Sequence, residues 1–227
     1  MWPLPQINKH LITISFDPQH IVCGLIKPAT TCSEYELYAY KKIYFSCNET
    51  NRPYSSTVIQ EIKSFLSAYN LHNAFACFSI KNLAITQMLI TSNTAQPNIA
   101  LLRKERHLEK AIGHTTYLYT TPEGLFTFYL AALERELLFN YQLLALQLRL
   151  HLLTIAPSFQ TILTVYKHIH GSAFRQVQLA SDMAYLQNKL DAFCTLPIFN
   201  RILKTTHISA ERSLLIPLIG LYLAEKG

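Results

Sequence analysis

The chain has 227 residues, of which 50 % are hydrophobic and 15 % charged. That charge content lies well under the roughly 25 % of an average soluble domain and argues against disorder and low-complexity tails. Its 6 glycines leave few positions for phosphate-cradling loops, which need backbone without Cβ, so a nucleotide-dependent enzyme starts at a disadvantage. The formal net charge of +6 suits an acidic partner, nucleic acid or an anionic membrane face without choosing among them.

In chain order, Leu11 to Phe16 alternates apolar and polar over most of its length, and Ile21 to Ile26 follows after Asp17-Pro18-Gln19-His20, which predicts a hairpin. Tyr35 to Phe45, rich in Tyr, Leu and Ile, reads as a third strand. Ser55, Ser56 and Thr57 offer caps for an amphipathic helix whose apolar face is Val58, Ile59, Ile62, Phe65, Leu66 and Tyr69. Asn70 to Asn73 ends it. Strands follow at Ala74–Ile80 and Leu83–Ile90, then a helix over Ile99–Ile112 ending at Gly113, then strands at Thr115–Thr120 and Leu125–Ala131.

Glu134 to Leu150 is the longest helix candidate and buries Leu137, Tyr141, Leu144 and Leu148. A short strand, Leu152–Ile155, leads through Pro157 into a helix over Phe159–Ile169. A weaker helical pattern runs from Val177 to Phe193, and Leu214–Leu223 is an apolar helix kinked by Pro217.

Five cysteines, Cys23, Cys32, Cys47, Cys77 and Cys194, are odd in number, lack a C-x-x-C pair and read as buried, reduced thiols. The first ten residues do not pattern as a secretory signal, and the apolar stretches 125–133 and 214–224 are shorter than the ~20 residues a spanning helix needs. The expected setting is the cytoplasm.

Dinucleotide, P-loop, zinc-protease and hydrolase motifs are all missing. His168 and His170 stand two apart and diverge on a helix, and no pair of catalytic carboxylates can be named. Tyr117, Tyr119, Phe126 and Phe128 read as packing within one sheet rather than as a base-stacking platform. The densest basic group, Arg103-Lys104-Glu105-Arg106-His107, contains an acid and reads first as a solvated helix face.

The order of these elements resembles the first half of the actin-like PilM/ComA family of type IV pilus and competence assembly. Ile12 to Asp17 followed by Ile21 to Leu25 is similar to that family's opening hairpin. Leu108–Ile112 with Tyr117–Tyr119 is similar to its inserted subdomain, and Leu125–Ser158 to the closing of its first lobe. Leu215–Ala224 resembles its last helix.

The resemblance implies an α/β fold: an actin/ribonuclease H-like first lobe with a small inserted α/β subdomain, its second lobe missing or reduced to helices. The implied organisation is 1–80 for the first part of the lobe, 81–133 for the insert and 134–227 for the closing part and C-terminal helices. In the family the hairpin turn is Asp-x-Gly and cradles a nucleotide phosphate. Here Asp17, Pro18, Gln19 and His20 form a turn without glycine, so the expectation is no catalytic residue, no cofactor, no metal and no ATP binding.

What the resemblance leaves is a non-enzymatic cytoplasmic scaffold, peripheral at the inner membrane, that grips the short cytoplasmic tail of a PilN-like membrane protein. Arg103, Lys104 and Arg106 are candidates for contact with that tail or with lipid headgroups. A basic nucleic-acid-binding protein and an actin-like ATPase are the alternatives; for the expected scaffold no nucleic acid is a partner.

Overall fold

A computed structural model of the chain describes residues 10–28, 35–45, 54–82, 84–100, 104, 108, 110–170 and 212–226. In chain order its elements are β1 (Leu11–Phe16), β2 (His20–Pro28), β3 (Tyr35–Tyr44), α1 (Ser56–Ala68), β4 (Phe75–Ile80), β5 (Thr86–Ser92), β6 (Ala111–Thr120), β7 (Phe126–Glu134), α2 (Arg135–Gln147), β8 (His151–Pro157), α3 (Ser158–His170) and α4 (Arg212–Lys226).

Five strands make the main sheet in the order β3-β2-β1-β4-β8. The β1–β2 and β2–β3 pairs are antiparallel, whereas β4 joins β1, and β8 joins β4, in parallel. Each parallel step needs a crossover, and α1 supplies the first, between β3 and β4. A second, antiparallel sheet has the order β5-β7-β6.

Alternation along β1 sends its side chains into two cores. Ile12, Ile14 and Phe16 face α1 and α2 and join Val58, Ile62, Phe65, Tyr141, Leu144 and Leu148. Leu11 faces the other way, with Val22, Ile26 and Cys77, beneath α4. The inner face of the small sheet, through Leu118, Tyr129, Ala131 and Leu133, belongs to the first of these cores, so the two sheets are packed together. Thr13 and Ser15, which the alternation would place toward water, are buried on the α4 side of β1.

Helix ends follow local chemistry. Ser55 Oγ accepts a hydrogen bond from the Val58 N–H at 3.3 Å and caps α1. Ser55→Ala should therefore cost about 1 kcal/mol, read as a lower urea midpoint with unchanged slope. At the other end Asn70 adopts φ 54°, the Asn70 N–H donates to Ser67 O and the Leu71 N–H to Leu66 O, which is a Schellman closure. α2 closes in the same way, with the Arg149 N–H on Leu146 O and the Leu150 N–H on Ala145 O. There the left-handed position, φ 54°, is held by an arginine at a cost of about 1 kcal/mol relative to glycine.

The helix expected over 99–112 does not reach its proposed end, since Ala111, Ile112 and Gly113 are the first residues of β6. Their partners explain the change: Ala111, Ile112 and Gly113 pair with Glu134, Leu133 and Ala132 of β7, and the ladder outweighs the helical spacing. The proposed helix over 177–193 lies outside the described residues. Pro157 closes β8, directly before α3, and Pro217 is accommodated inside α4.

Cys23 and Cys77 are buried free thiols. Burial pushes the Cys23 thiol up to about 12, and burial with the neighbouring Glu225 raises that of Cys77. Cys32, Cys47 and Cys194 lie outside the described residues. Among the described residues, no helix is long and apolar enough to cross a membrane.

Candidate functional site

β1 and β4 run parallel, so their carboxyl ends emerge side by side, the position where open α/β sheets place ligands. The β1–β2 turn lies at that end. Asp17 is its centre: the Asp17 N–H donates to His20 O at 3.0 Å, and Asp17 Oδ1 accepts from the Gln19 N–H at 3.2 Å. Asp17 Oδ2 lies 3.0 Å from Lys81 Nζ, and Oδ1 lies 3.6 Å from His20 Nδ1. Lys81 follows β4 directly and is fixed by its own N–H, which donates to Phe16 O at 2.8 Å.

These bonds consume the donors that an anion would need. Pro18 has no N–H, and those of Asp17 and Gln19 are already engaged, so three of the four turn positions offer nothing to a phosphate. None of the four adopts positive φ, which among the described residues occurs only at Asn70, Asn73, Gly124 and Arg149. A concave nest of N–H groups requires such a residue.

His20 is shielded by the turn. Burial lowers its imidazole below the ordinary value of 6.5; Asp17 opposes the shift, while Lys42 and Lys81 add to it. The unfolded chain then takes up the proton first, so the stability contributed by neutral His20 is present above pH 6.5 and is lost as pH falls through and below that value. His20→Gln should flatten the fall in thermal midpoint between neutral pH and about pH 5, measured against the native chain.

The second candidate is the seam between the sheets. Tyr129 on β7 is fully buried; its hydroxyl donates to Gln87 Oε1 at 2.8 Å, and its ring lies 5.0 Å from that of Phe159 on α3. Lys167 Nζ of α3 donates to Tyr117 O at 2.8 Å, next to the bulge where β6 slips register between Tyr117 and Tyr119. The bulge turns Leu118 into the shared core. β5 and β6 are the edges of the small sheet, and Ile112 and Tyr117 on β6 are exposed large side chains.

The proposed turn residues Asp17, Pro18, Gln19 and His20 are thus together at the carboxyl end of β1. Lys104 is exposed, while Arg103 and Arg106 lie outside the described residues. Sequence reasoning did not find Lys81 or Lys167. Lys81 could be located only from the parallel register of β1 and β4, and Lys167 only from the packing of α3 on the bulge.

No family model and no curated protein matches the chain. Among solved structures it is similar to the PilM-PilN type IV pilus biogenesis complex, at 11 % identity over 71 % of this chain and 52 % of that one, with a TM-score of 0.52. The cytoplasmic domain of EpsL, an inner membrane component of the type II secretion system of Vibrio cholerae, aligns at 9 % identity over 67 % of this chain and 57 % of that one, with a TM-score of 0.43. T. thermophilus RuvC in complex with Holliday junction substrate aligns at 9 % over 96 % and 97 %, with a TM-score of 0.44. The chain spans about half the length of the first of these. The first likeness, with the strand order above, defines the class: a mixed α/β chain with the fold of a reduced actin/ribonuclease H-like lobe, carrying a small second sheet.

Proposed function

We propose that this chain is a non-enzymatic scaffold of type IV pilus or related secretion machinery, working at the cytoplasmic side of the inner membrane. Its partner is the short tail of a PilN-like membrane protein. The observation that carries the reading is the β1–β2 turn: the fold is that of an actin-like lobe, yet the loop that would cradle a phosphate is closed on itself by Asp17, Lys81 and its own backbone. The seam between the two sheets offers an extended peptide both a strand edge and apolar side chains.

A pull-down of detergent-solubilised membrane proteins with the purified chain tests this. Recovery of a single-span protein with a short cytoplasmic tail is expected, and its capture should weaken when Tyr117 is replaced by lysine. Recovery of nucleic acid or ribosomal components alone would overturn the reading.

A further inference from the structure

α2 buries one face, Tyr141, Leu144 and Ala145, and leaves another open. On the open face Glu136, Phe139, Leu143 and Leu146 follow one another at spacings of three, four and three, which aligns them in one stripe. Phe139 is 56 % exposed, Leu143 39 % and Leu146 70 %, too much apolar side chain in one line for a face designed only for water.

The ends of the stripe carry opposite charges. Glu136 opens it in the first turn of α2, and Arg149 closes it just past the last turn; both are exposed, and neither pairs with an opposite charge among the described residues. Arg149 also occupies the left-handed position of the helix closure that glycine fills best, so the charge is kept against a backbone cost.

The pattern is complementary to itself. When a second α2 is laid antiparallel across a twofold axis between Gln142 and Leu143, Phe139 of each copy meets Leu146 of the other and Leu143 approaches Gln142. Glu136 of each copy then meets Arg149 of the other, closing two ion pairs. We propose that the outward face of α2 is the twofold contact of a homodimer of this chain. An anionic lipid surface fits less well, because Glu136 lies within the stripe. One helix of 13 residues is about 20 Å long and makes a small interface, so the dimer is reversible and dependent on concentration.

Sedimentation equilibrium of the full chain, from low micromolar to several hundred micromolar, should show a monomer–dimer equilibrium. Leu143→Arg, Glu136→Arg and Arg149→Glu should each weaken it by at least about tenfold while the thermal midpoint of the monomer stays near native, since all three side chains are exposed at least in part. Mixing the Glu136→Arg chain with the Arg149→Glu chain should restore association as a heterodimer, because every new charge then meets its opposite. A native chain that stays monomeric throughout, or a mixture that fails to associate, overturns the proposal. So does binding of a monomeric native chain to phosphatidylglycerol vesicles that Leu143→Arg abolishes, which would assign the stripe to lipid. Because the stripe shares no residue with the seam, failure here leaves tail capture standing, and the converse also holds.

Discussion

Replacing Gly220 by valine is expected to destabilise the chain by about 3 kcal/mol or more, seen as a large drop in the urea midpoint. Gly220 lies in α4 where the helix crosses α3, and a Cβ there would stand 2.0 Å from Thr161 O and 2.6 Å from its carbonyl carbon. Those atoms are backbone and cannot rotate away, so α4 as a whole must lift. Its lower face carries Leu215, Ile219 and Tyr222 over Leu11, Val22 and Cys77, and this burial would be loosened together. Alanine in place of Gly220 meets the same contact, and its better helix propensity, worth about 1 kcal/mol, only partly offsets it. A Gly220→Ala chain as stable as the native one would show that the two helices are farther apart than described.

Phe16→Ala is expected to cost about 3–5 kcal/mol, the range for emptying a large aromatic from a closed core. The Phe16 ring lies 5.1 Å from that of Phe78, 5.0 Å from Tyr141 and 5.3 Å from Tyr54, and it is 1 % exposed. It ties β1 to β4, to α2 and to the segment before α1. Its neighbours are themselves held, since Tyr54 and Tyr141 bring their hydroxyls to 3.2 Å, so the cavity cannot collapse easily. Phe16 also precedes Asp17, and its carbonyl receives the Lys81 N–H, so the hairpin turn should loosen with the core. Equilibrium unfolding in urea, followed by circular dichroism, measures the loss.

Much of the fold could be read from periodicity because the periodic segments are also the well-packed ones. The α1 residues Val58, Ile62, Phe65 and Leu66 are buried at the spacing that defines an amphipathic helix, and Tyr141 and Leu144 of α2, with Leu148 at its C-cap, repeat the pattern. β1 shows where such reading fails. Thr13 and Ser15 look like a water-facing set, yet both are buried, because a helix about two hundred positions later covers that face. Local pattern carries no information about so distant a partner.

The candidate site divides in the same way. A turn without glycine is visible in Asp17-Pro18-Gln19-His20, and with it a backbone that does not form a concave nest of N–H groups. The ion pair that closes the turn is not visible, since Lys81 is sixty-four residues away and reaches Asp17 only through the parallel pairing of β1 and β4. The stripe on α2 was hidden for another reason. Phe139, Leu143 and Leu146 are apolar, and hydrophobicity alone does not distinguish a face buried in the core from a face held ready for a partner. Arg149 gave no signal of its left-handed backbone, because arginine is not a residue that advertises one.

The proposed scaffold role requires that this lobe bind a protein tail and not a nucleotide. Calorimetric titration of the purified chain with ATP, and then with a synthetic N-terminal tail of the PilN-like protein encoded nearest its own gene, tests it most directly. Heat of binding with the tail and none with millimolar ATP is the expected result. Binding of ATP that Asp17→Ala abolishes, with no binding of the tail, would contradict the account and identify the turn as a working nucleotide site.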